Sequence, residues 1–208
     1  MTSLISPSQL ITLAFRTAVE RKMEFHKTWT AKSLRLGSLL PDSLLITSIQ
    51  QAGELDILVR CMEDDPLPTA DNASDIDLLS FSYRCMLSTF WVGITYEVCR
   101  VLDSRKLLPE SDELKSLAYD LKLLRIPLEK HEIANDKKLA AIVQTARTPS
   151  FGEDRDRYSY ARNDKRKAHI MPSGVSERGS QVWQVVDALS QESYWIERQS
   201  LSDRFLAL

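Results

Sequence analysis

A regular spacing of apolar side chains between residues 76 and 101 constrains the fold more than any other feature of the sequence. Apolar residues recur there every three or four positions, which is the period of one face of an α-helix. Aromatic residues at Phe81, Trp91 and Tyr96 widen the apolar arc, so we expect this helix to be central and to contact more than one neighbour. The spaced positions are Ile76, Leu79, Tyr83, Leu87, Phe90, Ile94, Val98 and Val101.

A second apolar stripe follows after a short turn at Lys106 to Glu110. The pair Ser111-Asp112 predicts its N-terminal cap, and we expect the helix to continue past Pro127 and end near residue 147. Two long stripes on consecutive segments joined by a short turn predict antiparallel packing. The stripe consists of Leu114, Leu117, Leu121, Leu124 and Leu128.

The remaining segments complete the predicted fold class, an all-α, four- to five-helix up-down bundle. Ser6-Pro7 predicts the start of a first helix over about 7 to 34, and apolar spacing predicts a second helix over about 45 to 62. Ser180 can cap a last helix, and no alternation of polarity is long enough to predict a sheet. We therefore expect a helical bundle over residues 1–148, an extended basic arm or linker over 149–179, and a C-terminal helix over 180–208 that packs on the bundle or on a second subunit.

Composition narrows the classes of function. An apolar fraction of 43% in 208 residues is enough for a real core, and a net charge of −2 argues against a polyanion-binding surface over the whole molecule. Three widely spaced cysteines favour reduced core thiols and hence a cytoplasmic protein. Because Glu97 and Arg100 interrupt the most apolar window, we expect no membrane span. No spacing of ligand residues predicts a metal or a cofactor.

Arg125 and His131 are the candidate catalytic pair. Six steps on a straight helix separate two side chains by about 240° of rotation and about 9 Å of rise, so the pair would not converge on one. Pro127 lies between them and disfavours regular helix, so a kink or two abutting helices could bring them together. Failing that, the pair could meet across a two-fold axis.

The stretch from Leu123-Leu124-Arg125 to His131-Glu132-Ile133, preceded by a tryptophan-bearing amphipathic helix, resembles the HEPN superfamily over residues 76–145. That resemblance implies a helical bundle that pairs at a dimer interface and cleaves RNA without metal, through attack of the ribose 2′-hydroxyl on the adjacent phosphate. It implies proton transfer by His131 and phosphate contact by Arg125. Histidine exchanges protons near neutral pH, and arginine holds phosphate through two donors.

A structural interpretation of the same pair is also open. His131 can be a core or interface histidine that is satisfied by a carbonyl or by Glu97. Arg125 can pair with Glu129 one turn further along the helix. In that case the pair has no catalytic role.

The predicted arm carries a second arginine followed by a histidine at a similar spacing, from Arg162 to His169. Asn163 follows the arginine directly, as the family pattern prefers. Basic side chains interleaved with tyrosines suit single-stranded nucleic acid, because phosphates meet the charges and bases stack on the rings. The alternative is a solvated arm or one that packs on the bundle or on a partner subunit. The candidate nucleic-acid-binding residues are Arg155, Arg157, Tyr158, Tyr160, Arg162, Asn163, Lys165, Arg166, Lys167 and His169.

Two functions therefore follow from the sequence. One is a HEPN-like RNA-directed protein, a metal-independent endoribonuclease of defence or toxin type, with RNA as its partner. The other is a non-catalytic all-helical interaction module that homodimerises. The two differ in whether Arg125 and His131 face a common basic cleft.

Overall fold

The structure is a computed structural model that describes residues 5–66, 75–109, 111–139, 143–146, 157–161, 163–164 and 168–208. Residues 75–77, 143–146 and 157–159 are described by their backbone alone.

The described chain is mostly helical, as predicted, and four helices begin close to their expected positions. The prediction of one helix over 7 to 34 was wrong, because Lys22 leaves helical geometry with φ −121° and ψ 40° and divides that segment in two. The helices are α1 (Pro7–Arg21), α2 (Met23–Gly37), α3 (Leu45–Glu63), α4 (Asp75–Ser104), α5 (Asp112–Lys130) and α6 (Arg198–Ala207).

The prediction of a pure all-α bundle was wrong, because the C-terminal third contains two small antiparallel sheets. Residues 180–208 form two strands and a ten-residue helix instead of one long helix, and part of the predicted arm is also strand. The strands are β1 (Val143–Ala146), β2 (Arg157–Tyr160), β3 (Ser173–Val175), β4 (Gln181–Asp187) and β5 (Glu192–Glu197). The order is β1-β2 in one sheet and β3-β4-β5 in the other.

The expected antiparallel pair of α4 and α5 is present at the centre of the core. Gly93 of α4 lies beside Glu129 of α5, and the start of α5 lies near the end of α4 at Leu102. The α5 stripe is buried at Leu114, Leu117, Leu121 and Leu124, as its spacing predicts. The three-stranded sheet packs on α5 and joins the same core through Trp183, Val185 and Ile196.

The C-terminal end of α5 differs from the prediction. The helix ends at Lys130, and a single 3-10 turn at Asp136–Lys138 and then β1 follow it where continued helix was expected. Pro127 lies inside the last turn of α5, and His131 adopts left-handed geometry with φ 56° as the residue after the helix. Left-handed residues end many helices, and histidine is among the side chains that tolerate this conformation.

A buried charged network joins α6 to α3. Arg198 is fully buried and donates two hydrogen bonds to the carboxylate of Glu63, at 3.0 and 2.6 Å, and one to Asp56 at 2.5 Å. Asp56 also accepts from Arg60 and from the indole of Trp29, each at 2.9 Å. Every charge in the network is therefore opposed by another, which is the condition under which buried charges are tolerated.

Candidate functional site

Arg125 is engaged by carboxylates in the way that its structural interpretation predicted. Its Nε donates to Glu129 Oε1 at 2.9 Å, and its Nη2 lies 3.7 Å from Glu97 Oε1. The guanidinium also lies over the ring of Tyr96, 5.0 Å from the centroid. Two acidic side chains therefore occupy the surroundings of a group that the nuclease hypothesis assigns to phosphate.

His131 is exposed, so it is not the core histidine of the structural interpretation. Because α5 is helical from Asp112 to Lys130, six helical steps separate Arg125 from His131, or about 9 Å along the axis on different faces. α5 continues through Pro127 to Lys130, so the chain does not divide there into two abutting helices. The catalytic role of the pair stays a prediction.

The second candidate histidine, His169, is buried at 3% exposure, and its backbone N–H donates to the carbonyl oxygen of His131 at 2.7 Å. Burial lowers the pKa of His169 from 6.5 to about 4. The ring is therefore neutral at neutral pH and is poorly matched to proton exchange there. The hydrogen bond does bring the two arginine-to-histidine stretches of the sequence together at the C-terminal end of α5.

Tyr160 is also buried, at 1% exposure, and its hydroxyl donates to Asp136 Oδ2 at 3.0 Å. Its ring meets the ring of His169 edge-on, with centroids 5.9 Å apart. Neither ring presents a face to solvent in the described structure, so Tyr160 does not offer its ring to bases there, and its role in nucleic-acid binding stays a prediction. This part of the predicted arm packs on the bundle instead.

The other predicted nucleic-acid contacts are only partly described. Asn163 is exposed, and Arg157 and Tyr158 lie in β2, opposite Ala146 and Thr145 of β1. Five predicted residues lie outside the described residues, and their role stays a prediction. They are Arg155, Arg162, Lys165, Arg166 and Lys167.

An exposed apolar surface of the described helices lies on α4. Four side chains along one side of its N-terminal half face solvent, and we call this row the outer stripe. They are Leu79 at 54% exposure, Tyr83 at 52%, Met86 at 44% and Phe90 at 54%. Three of the four belong to the stripe that the spacing had assigned to the core. The core of the bundle instead uses the other side of α4, at Trp91, Cys99 and Leu102.

A groove continues the outer stripe along the C-terminal half of α4. It has a volume of about 510 Å³ and lies between α4 and the segment that connects α2 to α3. Ile94 and Val101 form the α4 wall, and Leu40 and Leu44 form part of the opposite wall. Leu44 is 77% exposed. This groove, which we call the α4 groove, begins one helical turn beyond the outer stripe, and its lining mixes apolar side chains with polar ones such as Gln51 and Arg105.

Charged side chains border that surface. Glu97 lies in the α4 groove and pairs with Arg100 at 2.7 Å as well as lying near Arg125. An apolar centre surrounded by a polar, solvent-accessible rim is the usual anatomy of a protein interface. Arg125 therefore belongs to the edge of this surface in the described structure.

α4 also has the length and apolarity of a membrane-spanning helix. Among the described helices, the stretch Leu78–Ser104 of α4 is long and apolar enough to cross a membrane by length and composition, and 39% of its most apolar 18-residue window is buried in the fold. The core helix of a soluble protein can meet this criterion too. Trp91, Cys99 and Leu102 would have to leave the core for α4 to span a bilayer.

No protein-family model, curated protein or solved structure matches the chain. The geometry of the described residues therefore carries the functional argument. Sequence reasoning missed the α4 surface, although one signal was present. The apolar arc of α4 is too wide for a single neighbour, and one side of it faces solvent in the described structure.

Proposed function

We propose that the chain is a non-catalytic helical interaction module that homodimerises through the outer stripe and the α4 groove. The observation that carries the proposal is the exposure of Leu79, Tyr83, Met86 and Phe90 in one row. A large apolar side chain that is half exposed leaves roughly 100 Å² in contact with water, so the row presents about 400 Å² before the groove is added. Such an area lies within the range of about 300–600 Å² for the largest apolar patch of a typical monomer, which is often functional.

The charges around the stripe favour a protein partner over a lipid surface. Glu97 lines the groove on the C-terminal half of α4, and Arg100, which pairs with it, is exposed to solvent beside the groove. A protein partner can leave such charges at a solvated rim, whereas charged side chains are expensive in hydrocarbon.

Light scattering coupled to size-exclusion chromatography tests the proposal. We expect the full chain to elute with the mass of a dimer at about 50 μM, where a micromolar association would be mostly complete. A parallel flotation assay with phosphatidylcholine vesicles tests the lipid alternative. A monomeric mass, or flotation of the protein with vesicles in place of dimerisation, would overturn the proposal.

A second proposal is the HEPN-like RNA-directed nuclease, which the hydrogen bond between His169 and His131 favours because it joins the two candidate stretches. The test is cleavage of a mixed, labelled RNA pool in EDTA by the wild-type chain, with His131→Ala and His169→Ala beside it. Cleavage that disappears only in His131→Ala would support the site at α5. Absence of cleavage by folded protein would refute the nuclease function.

A further inference from the structure

The outer stripe and the α4 groove lie on one side of a single helix. Positions 79, 83, 86, 90, 94, 97 and 101 are separated by three or four residues, so they all fall on the same face. The first four positions protrude as an exposed ridge, and Ile94, Glu97 and Val101 line the groove. One helix face therefore carries a convex half and a concave half in succession.

A two-fold axis perpendicular to such a helix exchanges the two halves. The ridge is centred near residue 84 and the groove residues of α4 are centred near residue 97, so the midpoint falls close to Phe90. We infer that two copies of this chain pair their α4 helices antiparallel about a two-fold axis at Phe90, so that the ridge of each copy fills the α4 groove of the other. This inference rests on the proposed dimerisation and adds its geometry. Isologous pairing of this kind closes at two copies.

The pairing brings chemically compatible side chains together. About the axis, Met86 lies opposite Ile94 of the second copy, and Leu79 lies opposite Val101. Tyr83 lies opposite Glu97, the one charged residue of the face, so the tyrosine hydroxyl can donate to that carboxylate. The Phe90 side chains of the two copies meet at the centre, where aromatic anchors contribute most to association.

The area is also sufficient for a second copy. The ridge supplies about 400 Å², and the exposed Leu44 with the groove walls adds to it on each side. A stable interface buries about 800 Å² on each partner, part of it polar rim. The ridge alone supplies about half of that area, and we expect the groove walls and the charged border at Arg100 and Arg125 to supply the rest.

Disulfide trapping tests the geometry. In a Cys85→Ser background, which removes the half-buried thiol on α4, Phe90→Cys places the new thiol on the axis. Tyr83→Cys places two thiols about 20 Å apart along the paired helices, beyond disulfide reach. The double variant Tyr83→Cys with Glu97→Cys brings the two positions together again. Leu189→Cys is the control for random collision, because Leu189 is exposed at 58% outside α4.

After mild oxidation we expect Phe90→Cys and the double variant to give about tenfold more covalent dimer than Tyr83→Cys or Leu189→Cys, given the narrow Cα separation that a disulfide allows. Equal trapping by Tyr83→Cys alone would indicate parallel helices and overturn the antiparallel arrangement. A dimer by light scattering that is not trapped at Phe90 would also overturn it, while leaving the proposed dimerisation intact. A monomer by light scattering would overturn both.

Discussion

Replacing Arg198 by methionine should destabilise the fold severely. Arg198 is fully buried and contacts two buried carboxylates, those of Glu63 and Asp56. Asp56 would keep its bonds from Arg60 and Trp29, but Glu63 would lose its two hydrogen bonds from a cation and keep one from the amide of Gln199 at 2.8 Å. Removing one partner of a buried ion pair costs about 3–5 kcal/mol, and we expect a loss of that size in Arg198→Met.

Urea unfolding followed by circular dichroism at pH 7 and one protein concentration measures this loss. Arg16→Met is the matched control, because Arg16 pairs with Glu20 at 3.0 Å with both side chains largely exposed, at 76% and 61%. Exposed pairs contribute about 0–1 kcal/mol. If Arg198→Met lost no more stability than Arg16→Met, the network would not hold α6 to α3 as we describe.

The buried network of Arg198, Asp56 and Glu63 should also make the free energy of unfolding depend on pH. Burial by itself would raise the pKa of Asp56, but the charges and hydrogen bonds of Arg198 and Arg60 outweigh it and hold the pKa below its ordinary value. A carboxyl whose pKa is lowered by folding stabilises the native state above its unfolded pKa of about 3.9, and this stabilisation is lost as the pH falls further. The difference in unfolding free energy between wild type and Arg198→Met should therefore shrink below about pH 4.

Three further predictions concern the C-terminal part of the chain. Gly179→Ala should lower the free energy of unfolding in urea by about 1–3 kcal/mol, because φ is +77° and the added Cβ would lie 2.5 Å from a backbone carbonyl oxygen of α3. Gly174→Ala is the control, because its Cβ would meet only an ordinary contact at 3.6 Å. Because the pKa of His169 is about 4 in the fold, stability should fall by up to about 3 kcal/mol as the pH drops from 6.5 to 4, and a ring that titrates near 6.5 by NMR would contradict this. Burial raises the pKa of Glu197, but the hydrogen bond from Arg178 lowers it, and the resulting pKa is about 2. Arg178→Gln should therefore raise the pKa of Glu197 toward 4.5 in an NMR titration. An unchanged pKa would show that Arg178 does not cause the lowering.

The helices were predictable because their signals are local. Ser111 caps α5 as predicted, with its hydroxyl accepting from the N–H of Leu114, and the leucine stripe that follows is buried. The end of α5 was harder to predict, because the apolar spacing continued past Pro127 and no local signal indicated that His131 adopts left-handed geometry. In β4, Val182, Val185 and Val186 were also compatible with a helical period. Their β-branching is typical of a strand, and that signal was available in the sequence, whereas the alternating burial that begins at Gln181 is seen only in the structure.

Periodicity also left open which side of a helix faces the core. Leu79, Tyr83 and Phe90 share a face, as predicted, but that face is exposed. The core is built on Trp91 and Leu102, whose burial depends on where α3 and α5 lie. Such a choice is made by tertiary packing, which a single helical pattern does not encode.

Sedimentation equilibrium of the wild-type chain, Phe90→Gln and Leu189→Gln tests the central claim most directly. Phe90 and Leu189 are exposed to similar extents, 54% and 58%, so neither substitution should disturb the core. The account predicts a wild-type dimer, an unchanged dissociation constant in Leu189→Gln, and one raised about tenfold or more in Phe90→Gln, since loss of a central aromatic anchor costs more than about 1.4 kcal/mol. A wild-type monomer, or equal dissociation constants for all three chains, would contradict it.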